Sequence, residues 1–570
     1  MMWTLFSLIG FCLAAEAPVP TPVVDALQQQ LTRNMSELKL GDAPDIYHIR
    51  YHLYTMKQMD ATAAMGAIIE ESTEPYQYLG VEVRVGSPSY DNTGFGGWEN
   101  GFTGSWMPKN LTPRAATLSA WRQTDRAYKQ AVEHYSRKKA QFVAPPNYPG
   151  DYILLDSYSV DYGAGTTSDS EQLRDLAQAV SSVLGEDPAI MRGQVHVGQE
   201  AGSHWIMDTV GSTVRRPMQE STLRALIHVR APDGMLLTDQ RLWSTQHSSQ
   251  LPPKNQMVSE TTAMRTELLA LQEAPSLTDE YVGPVLFEDN AAIDLFRFLI
   301  VPQLEGTPSE VPFESFLGDI GSASAGSFRI GRRLLPPGWN VFDDPTSNAA
   351  HPSAFAVDAE GTPAERVHAV QDGIIQIPLM SRVPRKEYDR SNGHARGINR
   401  ARLAGRVSQL DIQPEKSRSP KKIHKEAIQL AESYGRDWYI AVRRLQEPAV
   451  RAIGSAPSFM SGDDSGAFLP PPVSIERVYS DGRRETLRGA QFSSVQRWIL
   501  RDIVAAGAIQ QGTFMIPSSP GGGLHSPTQG LTTWMRAPSV LIGEMEMIPM
   551  PGDPKSKTSL PHPSTRTTKK

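Results

Sequence analysis

The chain has 570 residues, 39% hydrophobic and 21% charged, with a formal net charge of −6. That length exceeds one ordinary core and predicts at least two domains. The composition is that of a soluble globular protein, and the near-balanced charge excludes a polyanion-binding signal at the level of the whole chain.

Leu5–Ala15 is an uninterrupted apolar run. It is too short to span a bilayer, which takes roughly 20 residues. Ala15-Glu16-Ala17 follows it with the small-residue pattern of a cleavage site. Residues 1–17 are therefore predicted to be a secretory signal, with cleavage after Ala15 as the alternative. Cys12, the one cysteine, lies inside the run. A mature chain would then have no disulfide, thiol nucleophile or thiolate ligand. Export to a bacterial periplasm, with no membrane span left after signal removal, is the expected location.

Val24–Leu38 has helical periodicity. Tyr47–Met56, Gly66–Ile69 and Tyr78–Val85 read as strands. In the first of these Ile49, Tyr51 and Leu53 alternate with His48, Arg50 and His52, which predicts a polar sheet face carrying both histidines. Gly86–Thr112 reads as a surface loop. Thr117–Ala140 is predicted as a helix with Trp121, Tyr128, Ala131 and Tyr135 on one stripe, and Ser168–Leu184 as another. Gln194–Glu200, Ser203–Thr209, Thr222–Arg230 and Met235–Leu242 form an expected meander, the last two joined by Asp233-Gly234. Thr261–Glu273 is a helix, and Ala274–Ser276 a hinge.

In the second half, Val285–Phe287 predicts a short strand that leads into a helix over Asn290–Ile300. Arg366–Gln376 reads as a hairpin through Asp372-Gly373, and Val473–Leu487 as one through Asp481-Gly482. Ser419–Glu432 is an amphipathic helix and Asp437–Gln446 a strand. Pro538–Ile548 alternates and closes the domain. The expected fold class is α+β. The expected domains are a mixed α/β unit over 18–275, a β-rich unit over 276–550, and a disordered tail over 551–570.

No GxGxxG, P-loop or HExxH occurs in the sequence. The segment Arg390–Gly397 combines glycines with Asn392, His394 and Arg396, residue types that bind carboxylate or peptide groups. A solvated basic loop is the alternative reading. The Arg- and Lys-rich stretch continuing to Lys425 lacks interleaved aromatic residues, so no nucleic-acid partner is expected.

Several ordered blocks resemble the TldD/PmbA (TldD/TldE) family, also called modulators of DNA gyrase and related to metallopeptidases. They are Gly283–Ala292, Leu334–Thr346, Asp358–Ile375, Met380–Gly397, Val478–Phe492 with Arg501–Gly507, and Ala537–Met547. The resemblance implies a mixed N-terminal domain and a β-rich C-terminal domain around a cleft. In the TldD type an HExxxH motif supplies two zinc-binding histidines and a glutamate base, and a later cysteine completes the site. Aligned on Gly283–Ala292, the histidine positions fall at Phe287 and Ala292 and the base at Glu288. No cysteine occurs in Gly512–Thr533.

The resemblance thus implies a metal-free, TldE/PmbA-like subunit with no cofactor. Glu288 becomes a structural carboxylate paired with an arginine, or the catalytic base only if the chain is active. Expected partners are a TldD-like homologue or a second copy, and a peptide, for which an added strand is one mode of binding. Two alternatives stand beside it. One is an active zinc peptidase with other ligands, among them Asp289, Asp294, His394 or His525. The other is an exported binding or scaffold protein without a proteolytic role.

Overall fold

The computed structural model describes residues 22–96, 100–185, 187–308, 310, 329–397, 403–448, 469–493, 495–517, 530–550 and 552. The predicted signal segment, His525 and, apart from residue 552, the predicted tail lie outside the described residues. Among the described residues no helix is long and apolar enough to cross a membrane.

The first half runs α1 (Pro22–Glu37), β1 (Ile46–Ala64), β2 (Ala67–Ser87), β3 (Tyr90–Asp91), β4 (Phe102–Trp106), α2 (Pro113–Gln141), β5 (Ser159–Asp161), α3 (Ser170–Ser182), β6 (Ile190–Asp208), β7 (Thr213–Arg230), β8 (Leu236–Thr245) and α4 (Lys254–Glu273). The strands form one sheet in the order β3-β2-β1-β6-β7-β5, with β4 added to β2 and β8 to β7. Strand alternation sorts its two faces. Ile49, Tyr51 and Leu53 pack with Leu27 and Leu31 of α1 and Ala127 and Tyr128 of α2. Further along the sheet, Ala61, Ala63, Val195 and Val197 pack with α3 and α4 through Leu173, Val180, Met264 and Leu268.

The other face is polar and turns toward the second half. Arg50 of β1 reaches Glu360 at 3.5 Å, Glu220 of β7 accepts from Thr532 at 2.5 Å, and Arg224 of β7 meets Met515. His48 and His52 lie on this face as the alternation predicts, both buried. Burial, with Arg50 adding to it, pushes the His52 imidazole down to about 3 and leaves it neutral. Its Nδ1 lies 3.0 Å from Nε2 of His204.

Three segments differ from the sequence reading. The segments read as two strands in 66–85 are one strand, β2, and those in 194–209 are likewise one, β6. Gly202, in the gap between the two segments read as strands, lies inside β6, and a Cβ there would sit 2.0 Å from the carbonyl oxygen of Thr55, so the strand takes glycine at this position. The stretch read as a surface loop contributes β4, which pairs with β2. In α2 the buried stripe is Ala116, Ala120, Ala127, Tyr128 and Ala131, while Trp121 is exposed. Trp121 lies only about 20° around the axis from Tyr128, and both sit at the edge of the stripe that Ala116, Ala120 and Ala127 centre.

The second half carries β9 (Tyr281–Phe287), α5 (Asp289–Leu299), α6 (Val301–Leu304), β10 (Asn340–Asp343), β11 (Val367–Gln371), β12 (Ile374–Ile375), β13 (Ala395–Arg396), β14 (Ala404–Gly405), β15 (Gln409–Gln413), α7 (Pro420–Ser433), β16 (Trp438–Val442), β17 (Ile475–Tyr479), β18 (Arg484–Leu487), β19 (Ala490–Phe492), β20 (Ile503–Ile516) and β21 (Leu531–Pro549). Its main sheet runs β12-β11-β10-β15-β21-β9-β16-β17-β18, with β19 and β20 also on β21. Strand β9 is internal, antiparallel to β21 and parallel to β16. Val285 and Phe287 face the core that holds α5, whereas Leu286 faces α7. Burial on both faces explains why this strand reads as a continuous apolar run. Asp372 and Gly373 both take positive φ, 49° and 73°, which the two-residue hairpin between β11 and β12 requires.

Candidate functional site

Helix α5 leaves β9 at a sharp turn and divides its residues by helical period. Ala291, Ala292, Leu295, Phe296 and Leu299 enter the core. Asn290, Ile293, Asp294 and Arg297, spaced three and four apart, line a cavity of about 340 Å³. Its other walls come from β8 of the first half, the segment after β16, β20, and Trp534 of β21. The cavity therefore lies between the two halves of the molecule.

Arg297 and Glu447 form its charged centre. Arg297 donates through Nη1 to Glu447 Oε2 at 2.7 Å and through Nη2 to Oε1 at 3.1 Å. Its Nη2 also donates to the Met515 carbonyl at 2.8 Å. Both side chains are buried, at 6% and 8% exposure. Asp294 accepts from Arg297 at 3.4 Å. Burial, with Glu447 adding to it, outweighs that arginine and raises the Asp294 carboxyl to about 7. Arg444 spans the domains, 3.0 Å from Asp239 and 2.5 Å from Glu267. Burial lowers Arg224 to about 10, with Glu447 opposing that shift and Arg297 adding to it.

Asp239–Leu242 of β8 and Gln511–Phe514 of β20 each line the cavity as four consecutive residues. Alternate side chains of a strand point to opposite faces, so a cavity touched by four in a row meets the strand's edge. Among the described strands, β8 pairs only with β7 and β20 only with β21. Two unpaired strand edges therefore border one cavity.

The described residues that line this cavity do not fit a zinc ion. The carboxylates there, Asp239, Asp294 and Glu447, each face an arginine, and three guanidinium groups from Arg241, Arg297 and Arg444 share the walls. A divalent cation needs neutral or anionic donors. Among the described residues no group of three or more His, Cys, Asp or Glu is placed to hold a metal.

The structure does not bring Phe287, Glu288 and Ala292 together. Phe287 is fully buried and stacks on Phe492, with centroids 5.9 Å apart. Ala292 is fully buried on the core side of α5. Glu288 precedes the helix on the outside and pairs with Arg484 at 3.0 Å, the arginine partner expected for it. None of the three lines the cavity.

Of the alternative ligands among the described residues, Asp289 pairs with Arg443 at 2.8 Å, and Asp294 alone reaches the cavity. The Asn392, His394 and Arg396 group is built into the fold. Asn392 accepts from the Met380 N–H at 2.8 Å and donates to the Pro378 carbonyl at 2.7 Å. His394 lies 3.1 Å from Asp343 with both side chains fully buried. Burial would raise the Asp343 carboxyl, but its bonds to His394 and Ser408 prevail and hold it below its usual value. Arg396 donates to the Val407 and Thr532 carbonyls and to the Thr533 hydroxyl.

Sequence reading missed Arg297, Glu447, Arg444 and Asp239. Asp294 and Arg297 were visible as an i, i+3 pair on a helix. Glu447 lies 150 residues from Arg297 and carries no local signal.

The family model for the PmbA/TldA metallopeptidase C-terminal domain matches residues 279–434. No curated protein matches the chain. Three solved structures share its fold over 92% of this chain and 99% of theirs. One is from Thermotoga maritima, described as a modulator of a DNA gyrase (TM-score 0.58, 13% identity). Another is TldE from Thermococcus kodakarensis (0.54, 12%). The third is from Bacteroides thetaiotaomicron, described as a modulator of DNA gyrase (0.55, 11%).

Proposed function

Because the chain belongs to the TldD/PmbA family, by sequence through its C-terminal domain and by fold along most of its length, we propose that it is a TldE/PmbA-like subunit without its own zinc. It binds an extended peptide between its domains and acts beside a zinc-bearing relative that does the cutting. The observation that carries the metal-free part is the fate of the aligned ligand positions: Phe287 and Ala292 are buried in the core and Glu288 is paired with Arg484. A phenyl ring and a methyl group offer a zinc ion no donor. The peptide part is supported by the strand edges of β8 and β20, which pair with no further strand among the described strands and can take an added one where it displaces the side chains of Asp239 and Arg241 from the Gln240 backbone.

The test is amide hydrogen exchange on the full chain with and without an unstructured apolar decapeptide. The proposal expects protection at Asp239–Leu242 and Gln511–Phe514. Absence of protection at both edges overturns the peptide reading. Co-expression with a homologue from the same genome that carries HExxxH checks the partner reading: the two chains co-purify if it holds and separate if it fails.

A further inference from the structure

We propose that Arg216 anchors a second binding site between the domains, one that takes a peptide carboxylate and is distinct from the α5 cavity. Arg216 lies on β7 in one cross-strand row with His204 of β6 and Tyr54 of β1. Residues of one row share a sheet face, here the face turned to the second domain. There Phe355 lies 5.5 Å from the Arg216 guanidinium carbon.

The other arginines of this region have partners. Arg50 meets Glu82 and Glu360, Arg224 meets Met515, and Arg396 is held by Val407, Thr532 and Thr533. The half-buried Arg216 has no hydrogen-bond or ion-pair partner among the described residues, and its Nε is buried with none. Asp358 is the carboxylate that acts on it electrostatically. The oxygens of Asp358 already accept the N–H groups of Glu360, Thr362 and Ala395, at 2.8, 2.9 and 2.9 Å.

An unpaired guanidinium in a partly closed site is the donor that a planar two-oxygen anion fits. Arg396, close enough to influence Arg216 electrostatically, adds positive potential although its own donors are engaged. Apolar groups border one side of it: Tyr54, Met56, Tyr78 and Met218 cluster on the same sheet, and Phe355 lies over the guanidinium. They favour an anion carried on an apolar body, which is a peptide carboxylate. Glu220, bound to Thr532, lies on β7 between Arg216 and Arg224, so this site is separated from the cavity side.

The test is calorimetric titration of the full chain with three probes: N-acetyl-trialanine, its C-terminal amide, and N-acetyl-Ala-Asp-Ala amide. The acid should bind and the trialanine amide should not. Binding of the Asp-bearing amide identifies any peptide carboxylate as the ligand, and its failure restricts the ligand to a free C-terminus. Arg216→Met should weaken acid binding at least tenfold, Arg216→Lys less, and both should fold and melt close to wild type because only the contact with Phe355 is altered and no hydrogen bond or ion pair among the described residues is lost. A saturating N-acetylated, C-amidated apolar decapeptide, which has no carboxylate, should leave acid binding unchanged, which keeps this result independent of the cavity reading. Equal binding of acid and trialanine amide, no acid binding at millimolar concentration, or unchanged affinity in folded Arg216→Met overturns the proposal.

Discussion

Replacing Asp294 by asparagine should stabilise the protein most at alkaline pH and progressively less as the pH falls toward about 4. The Asp294 side chain is 18% exposed, and its carboxyl is raised from 3.8 to about 7. Between those values the folded chain holds a proton that the unfolded chain has released. Stability therefore falls as pH rises from about 4 to about 7 and levels off above. A shift of about three units corresponds to about 4 kcal/mol at roughly 1.4 kcal/mol per unit. Asparagine resembles the neutral form and removes this loss. Urea unfolding followed by tryptophan fluorescence, at pH 5 and pH 8 for both chains, isolates the effect because other titrating groups cancel in the comparison. A gain of up to about 4 kcal/mol at pH 8, falling to about 1.6 kcal/mol at pH 5, is expected. If Asp294→Asn is instead as destabilising at pH 8 as at pH 5, Asp294 is an ionised partner of Arg297 and the reasoning from burial is refuted.

Glu447→Gln leaves the buried Arg297 without its two-pronged partner and should cost about 3–5 kcal/mol, read as a lower urea midpoint. Phe287→Ala should cost about 3–5 kcal/mol in the same assay, as expected for an aromatic in a packed core and not for an exposed site residue. Gly393→Ala should lower soluble yield and melting temperature. Its φ is +70° and the added Cβ would lie 2.1 Å from the Pro363 carbonyl oxygen, so strain of at least about 1–3 kcal/mol is expected.

The strand-to-helix frame over Tyr281–Leu299 was legible because β9 is short and wholly apolar and α5 is periodic. The site beside it was legible only to within one helical turn. Anchoring on Gly283–Ala292 pointed to Phe287 and Ala292, which the core absorbs, whereas the same helix turns Ile293, Asp294 and Arg297 into the cavity. The charged partners come from β8 and from the segment after β16, far apart in sequence, so no local pattern could announce them. The polar face of β1 was legible from strict alternation at Ile49–Leu53. That it closes against a second domain was not, since alternation tells which residues share a face but not what covers it. Asn392, His394 and Arg396 looked like ligand groups because buried struts and binding loops draw on the same residue types.

The account's central claim, a subunit without its own metal, is tested most directly by elemental analysis of the purified full chain after dialysis against zinc-containing and then zinc-free buffer. The account predicts no stoichiometric zinc. One tightly held zinc per chain would contradict it and return the chain to the active metallopeptidases.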